Sequence, residues 1–104
     1  MQLATSYLPP DLARGTAIMH TNPGPGGIYA RLADAGHSPQ TFTEYVRGRM
    51  PVPDERKRLE LPDGTPVLEI TRHAYDQNGR CVEVNRMILD ATAYVIDYTF
   101  PAQA

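Results

Sequence analysis

A carboxylate and an amide two residues apart, Glu83 and Asn85, form with Thr71, Arg72 and His73 the densest polar chemistry of the chain. A carboxylate facing an imidazole can act as a general acid and base. A carboxylate beside an amide can orient the hydroxyl or amine groups of a small ligand by hydrogen bonds. A cross-strand Glu–His pair is more often an ordinary favourable contact than a catalytic dyad, so ligand binding is the stronger expectation. Other chemistry has less support. The three histidines, His20, His37 and His73, are far apart and lack metal-ligand spacing, and there is one cysteine, so no metal or cofactor is expected. The serines are Ser6 and Ser38, neither in a nucleophile-elbow sequence. Cys81 sits within a strand pattern and reads as a small packed hydrophobe.

The element that positions this chemistry is the stretch from Pro66 to Leu89, which reads as a β-hairpin. Two runs rich in Val, Ile, Thr and Tyr alternate with polar residues around Asn78-Gly79. A two-residue loop would place Arg72 opposite Asn85 and Ala74 opposite Glu83. A three-residue loop, Gln77 to Gly79 with Gly79 left-handed, would place His73 opposite Glu83 and Thr71 opposite Asn85. A one-residue slip moves every side chain to the other face, so the apolar pattern arbitrates. The three-residue register gathers Leu68, Ile70, Ala74, Val82, Val84 and Ile88 on one face, with Arg72 and Arg86, and is the one expected. The alternative mixes apolar and charged residues on both faces. In either register Glu83 and Asn85 share a face.

Around the hairpin the sequence predicts short elements punctuated by ten prolines and eight glycines. Gln2 to Tyr7 alternates as a strand that Pro9-Pro10 ends. Asp11 to Ala17 fits a turn or a single helical turn, and Thr21 to Gly27 a glycine- and proline-rich loop. Ile28, Leu32 and Ala35 recur at helical spacing, and Gly36 suits the position just past the helix end. The start of that helix has the free N–H groups an anion site needs, but no lysine or phosphate-loop pattern accompanies it, so a tight entry is the simpler reading. Thr41 to Arg49 is a second strand, Pro53 to Leu61 a short helix, and Pro62-Asp63-Gly64 a turn. Tyr94, Ile96, Tyr98 and Phe100 alternate as a last strand, stopped by Pro101. Strands and helices in this order predict an α+β fold, a mostly antiparallel sheet whose helices cover the Leu68/Ile70/Val84 face.

Composition sets the bounds. The 104 residues suit one domain, with 21% charged and 41% hydrophobic residues, and no apolar run approaches the ~18 residues of a membrane span. Met1 leads straight into a strand rather than a signal peptide. A single cysteine fits a reducing cytoplasm. A net charge of −2 gives no electrostatic basis for nucleic-acid binding by this chain alone. Arg47, Arg49, Arg56, Lys57 and Arg58 form the one basic concentration, which reads as a solvated strand end and helix face.

The ordered set of Tyr7-Leu8-Pro9, Ile28-Tyr29, the Leu61/Gly64/Pro66 turn, Ile70-Thr71-Arg72 and Gly79 to Glu83 resembles the UTRA domain. That domain is the effector-binding module of the HutC subgroup of GntR-type bacterial transcription regulators. No one of these features is specific; their order and spacing are. The resemblance implies a chorismate-lyase-like fold that senses a small-molecule effector, forms a homodimer, and holds the effector between the sheet and a loop–helix lid. It puts pocket positions on Thr5, Tyr7 and Glu83, with Asn85 nearby and Tyr29 on the lid. With Thr71, Arg72 and His73 from the hairpin, these complete the expected ligand-binding set. The chain departs from the resemblance at Gly27 and Leu89, where relatives carry serine and tyrosine, which argues against a phosphosugar effector. It also implies a winged helix-turn-helix reader and early strands ahead of Met1. Residues 1–104 are therefore expected to be a single, N-terminally truncated UTRA domain that meets DNA solely through that absent reader. The alternative is a stand-alone enzyme of the same fold using Glu83 as acid or base, and a third reading is a pure dimerisation module.

Overall fold

A computed structural model describes residues 2–13 and 27–102. The end of the expected Asp11–Ala17 turn, and the Thr21–Gly27 loop up to residue 26 with its anion-site reading, lie outside the described residues. The elements are β1 (Gln2–Tyr7), α1 (Pro10–Ala13), α2 (Gly27–Asp34), β2 (Thr41–Arg49), α3 (Pro53–Arg58), β3 (Val67–Tyr75) and β4 (Cys81–Asp90). The four strands form one sheet in the order β1-β4-β3-β2, each pair antiparallel. The α+β class expected from the sequence is the class observed.

Local chemistry explains where the elements stop. Gly36, at φ 84°, closes α2, with the amide of His37 reaching the carbonyl of Leu32 at 2.7 Å and that of Gly36 reaching Ala33 at 3.0 Å. This is the 6→1 and 5→2 pair of a Schellman ending, and a left-handed residue is required to make it. Pro53 begins α3, and Glu55 Oε1 accepts the Val52 amide at 3.1 Å. Valine has no side-chain acceptor to return the bond, so half a capping box forms.

The hairpin contains both of the registers weighed above. Its tip is the three-residue loop: Gly79 has φ 78°, its amide reaches Asp76 O at 3.1 Å, and Asp76 N–H reaches Arg80 O at 2.9 Å. Tyr75 then pairs with Cys81, but Ala74 pairs with Glu83, leaving Val82 as the extra residue of a β-bulge. Below the bulge the pairs are His73 with Val84, Arg72 with Asn85 and Thr71 with Arg86. The expected His73–Glu83 and Thr71–Asn85 pairings are therefore not formed. A bulge places two residues against one and resets the ladder, so the loop type does not dictate the faces of the strands.

This shift also redistributes the helices. One buried cluster, Leu12, Leu32, Ala74 and Val82 with Leu8, Ile28 and Tyr29 packed against it, holds α1 and α2 on the sheet face that carries Ala74 and Glu83. The other, Leu59, Leu61, Val67 and Ile88 with Leu3, lies on the opposite face beneath the end of α3. The helices do not gather on a Leu68/Ile70/Val84 face, because those three residues are not on one side. An ion-pair network fastens α3 to its face. Arg49 forks onto Glu55 with two contacts of 2.8 Å, and Glu69 Oε2 accepts from Arg49 at 2.9 Å and from Arg86 at 2.8 Å. Arg49 thus belongs to a partly buried network rather than to the solvated basic face read from the sequence.

Residues 94–100 form no strand. Among the described residues no neighbouring strand pairs with them, and Val95, Tyr98 and Phe100 are exposed. Alternation alone cannot make a strand without a ladder partner.

Candidate functional site

The antiparallel registers lay a polar row across the face under α2. Ser6 of β1 stands beside Asn85 of β4, Asn85 beside Arg72 of β3, and Arg72 beside Glu44 of β2. One rung toward the hairpin tip run Glu83, Ala74 and Phe42. Alanine opposite Glu83 leaves the carboxylate without a bulky cross-strand neighbour. The first turn of α2 covers this corner, and Ser6, Ile28, Tyr29, Arg72, Glu83 and Asn85 line a cavity of about 210 Å³.

The charges of this cavity are unequally answered. Arg72 donates through Nε to Glu44 Oε2 at 2.8 Å, and its guanidinium lies over the Phe42 ring, 5.8 Å from the centroid. The Glu44 contact holds the Arg72 pKa above its ordinary value, against the opposing effect of burial. Tyr29 packs against Phe42 with centroids 5.6 Å apart, and its hydroxyl lies within electrostatic reach of Arg72 and Glu83. Burial, chiefly, and the Glu83 charge push the phenol up. Glu83 is 2% exposed, yet among the described residues its Oε1 accepts no hydrogen bond, and neither does the buried Oδ1 of Asn85. Tyr29 is near enough to feel Glu83 without closing a bond on that oxygen. Buried polar atoms are nearly always paired, so two orphaned acceptors in one cavity mark it out.

Of the eight residues expected from the sequence, the structure brings together Tyr29, Arg72, Glu83 and Asn85. The other four have registers that put them on the opposite face. Thr5 and Thr71 both flank Arg86, while Tyr7 and His73 both flank Val84. The His73 ring packs edge-on to Tyr45, with centroids 5.4 Å apart. The Glu83–His73 acid–base pair considered above is therefore not assembled. Tyr7 instead borders a second small hollow with Leu8, Pro9, Cys81, Glu83 and Val84. Ser6, Ile28, Phe42 and Glu44 belong to the cavity or its rim and were not expected. Ser6 and Glu44 could be found only through the registers of β1 and β2, which no loop signal fixes. Among the described residues no group of three or more His, Cys, Asp or Glu side chains converges as for a metal ion. No described helix is long and apolar enough to cross a membrane.

The fold is shared with known proteins. The sequence matches the UTRA domain over residues 1–95. An uncharacterized HTH-type transcriptional regulator of Streptomyces coelicolor is 33% identical over 99 residues, which are 92% of this chain and 37% of that protein. A crystal structure assigned to the GntR family of transcriptional regulators superposes with a TM-score of 0.85 at 29% identity, covering 99% of this chain and 43% of the other. The effector domain of PhnF from Mycobacterium smegmatis superposes with a TM-score of 0.81 at 21% identity, covering 97% and 61%. The chain thus spans well under half the length of the first two relatives. With a match along nearly all of its sequence and a shared sheet-and-helix arrangement, this chain belongs to the UTRA domain family found in GntR-family transcriptional regulators.

Proposed function

We propose that this domain senses a small-molecule effector in the cavity between α2 and the β3–β4 face. The observation that carries this reading is Glu83, a carboxylate 2% exposed with an unpaired oxygen in a cavity under the first turn of a helix. Such an acceptor is costly to leave unmade and favourable to satisfy. Tyr29, Arg72, Glu83 and Asn85 are the residues that hold the effector, joined by Ser6 and Ile28. The domain acts as a sensor rather than an enzyme, a reading supported by relatives that are named as regulators.

Assembly belongs to the same proposal. Thr41 to Gly48 of β2 are exposed on both faces, and among the described residues neither β1 nor β2 has a second neighbour. Bare edges and exposed aromatics such as Phe42, Tyr45 and Phe100 suit a two-fold homodimer. The protein carrying the domain acts in the cytoplasm and reads operator DNA through another domain, as the name of its HTH-type relative suggests. A metabolite screen by thermal shift, run on the parent and on Glu83→Gln, tests the reading. At least one compound should stabilise the parent and bind Glu83→Gln about tenfold or more weakly, about 1.4 kcal/mol. Ligands that bind both equally would refute the assignment.

A further inference from the structure

The orphaned acceptors constrain the chemistry of what fills the cavity. Glu83 Oε1 and Asn85 Oδ1 project from alternate residues of β4 onto one face, with backbones about 6–7 Å apart. Both side-chain oxygens of Glu83 can accept, so the unpaired Oε1 calls for a donor whichever way the group rotates. The one cation among the described residues of the cavity lining, Arg72, is engaged by Glu44, stacked on Phe42 and drawn to the Tyr29 hydroxyl. Glu83, by contrast, forms no ion pair among the described residues and is 2% exposed. An acidic group brought against it would set two like charges together in a drying site, whereas a charged donor makes the strongest hydrogen bond available there.

Resting on the reading of this cavity as the effector site, we propose that its ligand presents a protonated primary amine to Glu83 and Asn85. An ammonium carries three donors. Glu83 Oε1 and Asn85 Oδ1 take two, and the Ser6 hydroxyl in the same lining offers an acceptor for the third. Ile28 and the Tyr29 ring supply an apolar wall for the carbon skeleton, and a volume of about 210 Å³ admits a compact molecule.

Two matched trios of probes test this: butylamine, butanol and butyrate, and glucosamine, glucose and glucuronate. Each is titrated at millimolar concentration into the parent, Glu83→Gln and Asn85→Leu, with binding read by amide chemical shifts and folding by thermal unfolding. In each trio the amine should bind about tenfold tighter than its alcohol or acid partner, and Glu83→Gln should remove that advantage. Asn85→Leu should weaken the amine while leaving Glu83 in place. A tighter acid or alcohol, amine affinity unchanged in Glu83→Gln, or no binding by either amine overturns the proposal. If an acid or alcohol binds and shifts the amides of Arg72 and Asn85, the ammonium inference falls and the effector site stands. Binding confined to the opposite face would remove both.

Discussion

Glu83→Leu should stabilise the unliganded domain while abolishing its ligand. The wild-type carboxylate is 2% exposed with Oε1 unpaired. A buried acceptor in that condition costs about 1–3 kcal/mol, and leucine has no polar atom to strand. The substitution also removes the Glu83 neighbour of the Tyr29 hydroxyl, a loss smaller than the ~0.5–1.5 kcal/mol of a full hydrogen bond. The balance favours the variant by roughly 0.5–1.5 kcal/mol, which for a domain of this size raises Tm by about 2–10 °C. Thermal unfolding followed by circular dichroism, in buffer free of metabolites, reads it directly. Glu83→Gln, which keeps a polar group in place, should gain less. Such a gain is the signature of a residue kept for binding at the expense of stability. A fall in Tm of several degrees for Glu83→Leu would show that the carboxylate supports the fold, and the reasoning from its orphaned oxygen would be wrong.

Two further outcomes follow from the framework around the site. Arg49, chiefly, holds the Glu55 and Glu69 carboxyls below their ordinary range, and His37 does the same for Asp76. Depressed folded values mean a contribution that is full above the ordinary carboxylate range and lost as pH falls through the folded values. Denaturant midpoints should therefore hold from neutrality to about pH 5 and decline below it, and Arg49→Met should flatten the decline; an unaltered slope would count against the network. Gly79→Ala should cost about 1–2 kcal/mol in urea unfolding, because φ 78° penalises a Cβ although nothing lies within 4 Å of it. A neutral result would mean that the turn relaxes to another type.

Much of this fold was legible because its signals are local. The alternation of Gln2 to Tyr7 and Thr41 to Arg49 gave both edge strands their observed limits, and Gly36 and Gly79 marked the left-handed positions that end α2 and turn the hairpin. The register was not legible. Val82 is an ordinary apolar residue of a strand pattern, and nothing in its type announces a bulge. That one insertion moved Arg72 and Ala74 to the Glu83 face and took His73 and Thr71 away from it. The candidate site was half seen for the same reason: Glu83 and Asn85 share a face in any register, whereas their companions depend on the ladder. Tyr94 to Phe100 shows the converse, a strand pattern whose pairing lies beyond what alternation can specify.

The direct test of the central claim is to map a bound effector onto the two faces of the sheet. Amide and side-chain chemical shifts of the labelled domain, followed through a titration with a compound from the metabolite screen, distinguish them residue by residue. The largest changes are expected at Tyr29, Arg72, Glu83 and Asn85, with Ser6 and Ile28, and little change at Thr5, Thr71 and His73. Changes centred on Tyr45, Thr71 and His73, with Glu83 and Asn85 unmoved, would contradict it.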